Sequence, residues 1–181
     1  MLKIIDLNVG DILAFRPASG DFLGGAISFL SNGGKYCHVA RYLGDGRIIE
    51  STLLGGGVKT RAIEEKELFL IDVYSIPSSF FDTGMNKAMI DYEMKQIGKG
   101  YGLLDFPSTF IKSVLSRVFG FNHFAAGKPV MNNKNTFYCS ELHSSAFYHV
   151  FGRSPVAGLH YMCVTPNDLC GSKSIYKQRK F

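Results

Sequence analysis

The spacing of apolar positions changes along this chain. In the first half, short runs alternate apolar and polar residues or stay apolar over a few positions, which is the pattern of strands. Residues 11–16, DILAFR, follow the turn residues Asn8, Val9 and Gly10 and predict one strand. Residues 21–31, DFLGGAISFLS, are spaced for a short helix capped by Ser19 or Asp21, although two glycines weaken it. Residues 36–43, YCHVARYL, and 47–52, RIIEST, are rich in β-branched and aromatic side chains. They flank Gly44-Asp45-Gly46, which predicts a hairpin with a three-residue loop. Further strands are predicted at 57–62, GVKTRA, and at 68–75, LFLIDVYS, the second bounded by Pro77.

Beyond Pro77 the period becomes helical. Residues 84–97 place Met85, Ala88, Met89, Tyr92 and Ile97 on one face, with Asp82 or Thr83 as cap. Residues 107–119 predict a second helix with Pro107 at its start. Residues 120–134 are rich in Gly, Asn and Lys and predict a loop, long and polar enough to cover a cleft. Cys139 to Phe151 predicts a third helix, capped by Asn135 or Thr136 and closed by Gly152. In VTPNDL, Thr165 or Asn167 starts a helical turn, and a short strand follows near 174–177. Strands first and helices afterwards make the chain α+β, as a single domain over residues 1–181.

With 46% hydrophobic and 19% charged residues the chain can build its own core. No apolar run reaches the ~20 residues of a membrane span. The start, MLKIIDLNVGDILAF, lacks a basic region followed by a long apolar stretch, so no signal peptide is expected. Cys37, Cys139, Cys163 and Cys170 form no CxxC pair and no zinc-like cluster, which predicts reduced thiols and no metal or other cofactor. A single bridge from Cys163 to Cys170 is the alternative. These features fit a cytoplasmic or phage-encoded protein, or a secreted one whose signal has been removed. The net charge of +5 is concentrated in the tail, KSIYKQRKF. No nucleic-acid motif accompanies it, so the tail reads as a solvated terminus and no nucleic-acid partner is expected. No GxSxG elbow and no phosphate-binding GxxxxGK[ST] loop occurs, which removes support for serine hydrolase and P-loop chemistry.

Two residues remain that can do chemistry together. Cys139 opens a predicted helix, whose N-terminal N–H groups stabilise a thiolate and can hold an oxyanion. A buried cysteine acting as a small hydrophobe is the competing reading. His38 lies on a predicted strand about a hundred positions upstream and can serve as the base. With a three-residue loop, hairpin partners sum to 90, so Glu50 lies diagonal to His38 on the same face and can orient its ring. A two-residue loop would turn Glu50 to the opposite face. Cys37, adjacent to His38, would point the other way, into the core. His143 lies one turn after Cys139, where it could line the cleft or ligate a metal, though no HExxH pattern supports a metal. His149 is near the helix end, where the dipole favours a cation. His123 and His160 lie in loop-like segments.

VGDILAF, CHVARYLGDGRIIES, GGGVKTRAIEE, IGKGYGLLDF, FYCSELHSSAF and TPNDL occur in that order along the chain. Together they resemble the circularly permuted branch of the papain-like NlpC-type amidases, particularly the YiiX-like group. The resemblance implies a permuted papain-like fold, in which a small antiparallel sheet or partial barrel packs against helices. It implies Cys139 as nucleophile, His38 as base and Glu50 as the polar third residue, with Tyr101 bordering the cleft; Tyr138 and His143, beside Cys139 in the chain, are expected to line the cleft too. The implied activity is hydrolysis or transfer at an amide, thioester or ester carbonyl, on cell-wall peptides or lipid-linked acyl groups. Two other readings stay open at this point. One is an acyltransferase related to lecithin:retinol acyltransferase, which shares the His-before-Cys order. The other is a papain-like binding module in which Cys139 is inert. Neither the substrate nor the oligomeric state is legible from the residues.

Overall fold

A computed structural model of the chain describes residues 2–20, 34–53, 55–76, 83–102, 135–172 and 177–179. The expected helices at 21–31 and 107–119, the loop at 120–134 and His123 lie outside them. Within them the protein is α+β, an antiparallel sheet packed against helices.

The sheet has six strands: β1 (Ile12–Phe15), β2 (His38–Gly44), β3 (Arg47–Thr52), β4 (Gly57–Ala62), β5 (Ile71–Ser75) and β8 (Lys177–Arg179). Their order is β4-β3-β2-β1-β5-β8, and every pairing is antiparallel. β1 is buried on both faces because its side chains serve two cores. Ile12 and Ala14 join Val39, Cys139, Val164 and Leu169 on one side. Leu13 and Phe15 join Ala40, Ile48, Ile71 and Val73 on the other. Each fully enclosed Ile or Leu contributes about 1.5–3 kcal/mol, so this strand anchors both layers.

Three helices follow among the described residues, α1 (Thr83–Met94), α2 (Cys139–Phe151) and α3 (Pro166–Gly171). Leu142 of α2 packs on Ile49, Val58 and Phe137, and Ala146 and Phe147 pack on Met89 of α1. Helix α2 ends at Gly152, whose φ of 67 is left-handed, as its glycine predicts. Thr165 caps α3 by accepting from the Asp168 N–H at 3.2 Å. Two short strands, β6 (Gly100–Tyr101) and β7 (Thr136–Phe137), pair in parallel just before α2. The segment before β6 lies on β4, where Val58 N–H donates to the Lys99 carbonyl at 2.8 Å. That approach requires Gly57, since a Cβ there would sit 2.0 Å from the Lys99 oxygen, and its φ is +119.

Five expectations are corrected. Residues 65–70 form a 3-10 helix, Glu65–Leu70, so the strand predicted from 68 begins only at Ile71. The strand expected near 174–177 is found at Lys177–Arg179. The cap of α2 is neither Asn135 nor Thr136 but Tyr138, whose N–H donates to the Glu141 carboxylate at 3.3 Å. Cys37 precedes β2 and is half-buried, its thiol on the Phe15 carbonyl at 3.5 Å. On α1 the expected apolar stripe is only partly the buried face. Met85 and Ile97 are 38% and 44% exposed, while Met89, Glu93 and Gln96 are buried. The cause is a buried cation: Arg41 Nε donates to both Glu93 oxygens at 2.9 Å, and the helix rotates to bring that carboxylate in.

Candidate active site

The β2–β3 hairpin determines where His38 and Glu50 meet. Its turn has two residues, Asp45 and Gly46, with φ of 50 and 68, and not the expected three. Such a turn alone would send Glu50 to the opposite face. A bulge between Tyr42 and Gly44 inserts one extra residue into β2 and restores the register, with Tyr42 opposite Ile48 and Arg41 opposite Ile49. Continued along the strands, this places Glu50 diagonal to His38. His38 Nε2 and Glu50 Oε2 are 2.9 Å apart.

Cys139 is the first residue of α2 and is buried. It lies beside the His38 ring, near enough for its thiol to favour the charged imidazole. Because Glu50 takes Nε2, the nitrogen left for Cys139 is Nδ1. The ring is packed by Phe15, centroids 5.4 Å apart, and its side chain keeps 22% exposure. Burial opposes charging this imidazole. The hydrogen bonds and charges of Cys139 and Glu50 outweigh it and raise the group from 6.5 to about 9. Glu50 moves the other way. Burial would raise it, but His38 and then Arg61 hold its carboxyl down at about 2.

Arg61 and Glu67 were not singled out from the sequence. Arg61 on β4 donates from Nε to Glu50 Oε1 at 2.8 Å and from Nη2 to Glu50 Oε2 at 3.4 Å. Its far edge meets Glu67 at 2.7 and 2.9 Å. The signal was available in the β3–β4 register. Glu50 pairs with Lys59 and Ile48 with Arg61, so Arg61 is diagonal to Glu50 on one face.

The other expected residues are distributed as follows. Tyr101 on β6 is near Cys139. Burial first, then the charges of Cys139 and Glu141, raise its hydroxyl well above the usual range, so it stays neutral and able to donate. Tyr138, expected along the cleft, is buried and donates its hydroxyl to the Met162 carbonyl. His143, expected there too, is fully enclosed with Nδ1 on Glu93 at 2.9 Å, because its side of α2 faces α1. His149 stacks on Tyr92 at 4.7 Å, and His160 accepts the Met162 N–H at 3.4 Å. Cys163 and Cys170 are buried thiols that form no disulfide among the described residues, and burial foremost raises the Cys170 thiol well above its ordinary value. Among the described residues no group of His, Cys, Asp and Glu could hold a metal ion.

The arrangement carries a pH dependence of stability. Glu50 ionises at about 2 when folded, against 4.5 ordinarily, so its contribution is complete above pH 4.5 and is lost as pH falls through about 2. His38 has the opposite sign, its contribution complete below pH 6.5 and lost as pH rises through about 9. Glu50→Gln should therefore be less stable at pH 6, and the gap should narrow by about 3 kcal/mol on acidification toward pH 2. Urea unfolding of both proteins across that range checks this, and a constant gap would contradict it.

A thiol at a helix N-terminus, beside an imidazole that a buried carboxylate orients, can attack an acyl carbon and return a proton to the leaving group. Among the described residues no helix is long and apolar enough to cross a membrane. Comparison with family models and with curated proteins finds no match to this chain.

Proposed function

We propose that the chain is a cysteine hydrolase of the amidase or peptidase type, with the permuted papain-like fold that its motifs resemble. The observation that carries this reading is the His38 ring held between Cys139 and Glu50. Cys139 is the nucleophile, His38 the base and acid, and Glu50 the residue that orients the ring. His38 takes the Cys139 proton. The thiolate attacks the carbonyl carbon, and the C=O electron pair moves to oxygen. The Cys139 N–H, which has no acceptor within the helix by its position, helps hold that oxyanion. Collapse breaks the bond to the leaving group, which departs with the proton from His38. Water, deprotonated by His38, then attacks the thioester, releases the acid and restores the thiol. Cell-wall peptides and lipid-linked amides or esters are the proposed substrates, and a cytoplasmic or phage setting suits a chain with reduced thiols.

The pairing is tested by alkylation with iodoacetamide, read at each cysteine by mass spectrometry from pH 5 to pH 10. Cys139 should react well below pH 8 in the wild type and lose that reactivity in His38→Ala. Cys163 and Cys170 should stay protected. Equal profiles for Cys139 in both proteins, or a Cys139 that never reacts while folded, would remove the basis of the enzyme reading.

A further inference from the structure

We propose that Arg61 is a positioning residue that acts through Glu50 to hold His38 in the one tautomer that leaves Nδ1 free for Cys139. The inference rests on the Cys139–His38 reading and adds a residue to it.

Arg61 is saturated. A guanidinium has five N–H donors in a rigid plane. Here Nε donates to Glu50 Oε1 at 2.8 Å, and Nη2 donates to Glu50 Oε2 at 3.4 Å and to Glu67 Oε1 at 2.9 Å. Nη1 donates to Glu67 Oε2 at 2.7 Å and to the Ala62 carbonyl at 3.0 Å. Five donors meet five acceptors, so neither the guanidinium nor the Glu50 carboxylate can rotate without losing bonds. The fork is pinned in turn, because Glu67 Oε2 also accepts the Glu64 N–H at 3.0 Å at the start of the 3-10 helix.

A fixed Glu50 has a consequence for the ring. Its Oε2, 2.9 Å from His38 Nε2, can only accept, so the neutral imidazole must carry its proton on Nε2. Nδ1 is then an acceptor, the form a base needs toward a thiol. The titratable groups around the ring are Cys139 from α2 and Glu50 from β3, while β1 contributes Phe15. Among the described residues the other polar group at the ring is Cys139, and a thiol, which can donate or accept, does not fix the tautomer as a carboxylate does. Lysine could not substitute for Arg61, since one ammonium cannot hold two carboxylates in a plane.

The test is the 15N spectrum of the His38 ring above its titration midpoint, in wild type, Arg61→Gln and Arg61→Lys, with thermal unfolding of each. Wild type should show the Nε2–H tautomer almost alone. Both variants should raise the Nδ1–H population at least fivefold. Unchanged tautomers with a lowered Tm would overturn the proposal and leave Arg61 a structural residue. A wild-type spectrum from Arg61→Lys would also overturn it, showing that charge alone suffices. If wild-type Cys139 alkylation is independent of His38, it is the hydrolase reading that fails, while the tautomer result still reports on Arg61.

Discussion

Cys139→Ala should abolish acyl transfer, by about a thousandfold or more, in a protein that still folds. The loss is large because the thiolate forms the bond that breaks the substrate, and no neighbour can take its place. Ser140 turns its hydroxyl away to the Val164 carbonyl at 2.7 Å, and Cys170 is held as a protonated thiol, chiefly by burial. The fold should survive because the change removes only a sulfur from the cluster of Ile12, Ala14, Val39, Val164 and Leu169, while Leu142, Ala146 and Phe147 still anchor α2. The measurement is product release from a panel of peptide amides and lipid-linked esters, with circular dichroism as control. An amine acceptor in a parallel series shows whether water or the amine receives the acyl group. Full turnover in the alanine variant would place the chemistry elsewhere.

The second large effect is on stability. Glu93→Ala should cost about 3–5 kcal/mol and lower Tm by about 10 °C. Arg41, Glu93 and His143 are all fully buried, and Glu93 is the anion between the other two. Removing it leaves a guanidinium in the core, where Gly10 supplies one carbonyl at 3.1 Å. It also strips His143 of its partner on Nδ1, and Nε2 has none among the described residues. Calorimetry of the two proteins decides the matter. A drop under about 1 kcal/mol would mean that Arg41 relaxes onto the remaining acceptors. This triad joins β2, which carries His38, to α2, which carries Cys139, so alkylation of Cys139 should slow in any variant that folds.

The hairpin shows how far the residues could be read in advance. His38 and Glu50 were placed on one face from a three-residue loop, but the loop has two residues and a bulge supplies the missing shift. Periodicity senses hydrophobicity and nothing else. It therefore placed Met85 and Ile97 toward the core of α1 and overlooked Glu93, a carboxylate that enters the core only because Arg41 is already there. Arg61 escaped notice for a related reason: on a strand with Lys59 it resembles a solvated charge, and only the register to β3 shows what it faces. The helix beginning at Cys139 was legible because its apolar spacing and Gly152 agree. Its cap was not, because Asn135 and Thr136 carry capping side chains but belong to or precede β7, and extended backbone there leaves the cap to Tyr138.

The order of the parts along the chain also sets the order in which they become available. His38, Glu50, Arg61 and Glu67 fall within thirty positions of one another, on β2, β3, β4 and the 3-10 helix that follows. Those strands are neighbours joined by short turns, so their pairing needs only local closure, which is the fast kind. Cys139 arrives more than seventy residues later. A chain leaving the ribosome thus carries the His38–Glu50–Arg61 group without Cys139 beside it until α2 docks. On the proposed reading, the Cys139–His38 pair therefore forms only once α2 has packed on the sheet.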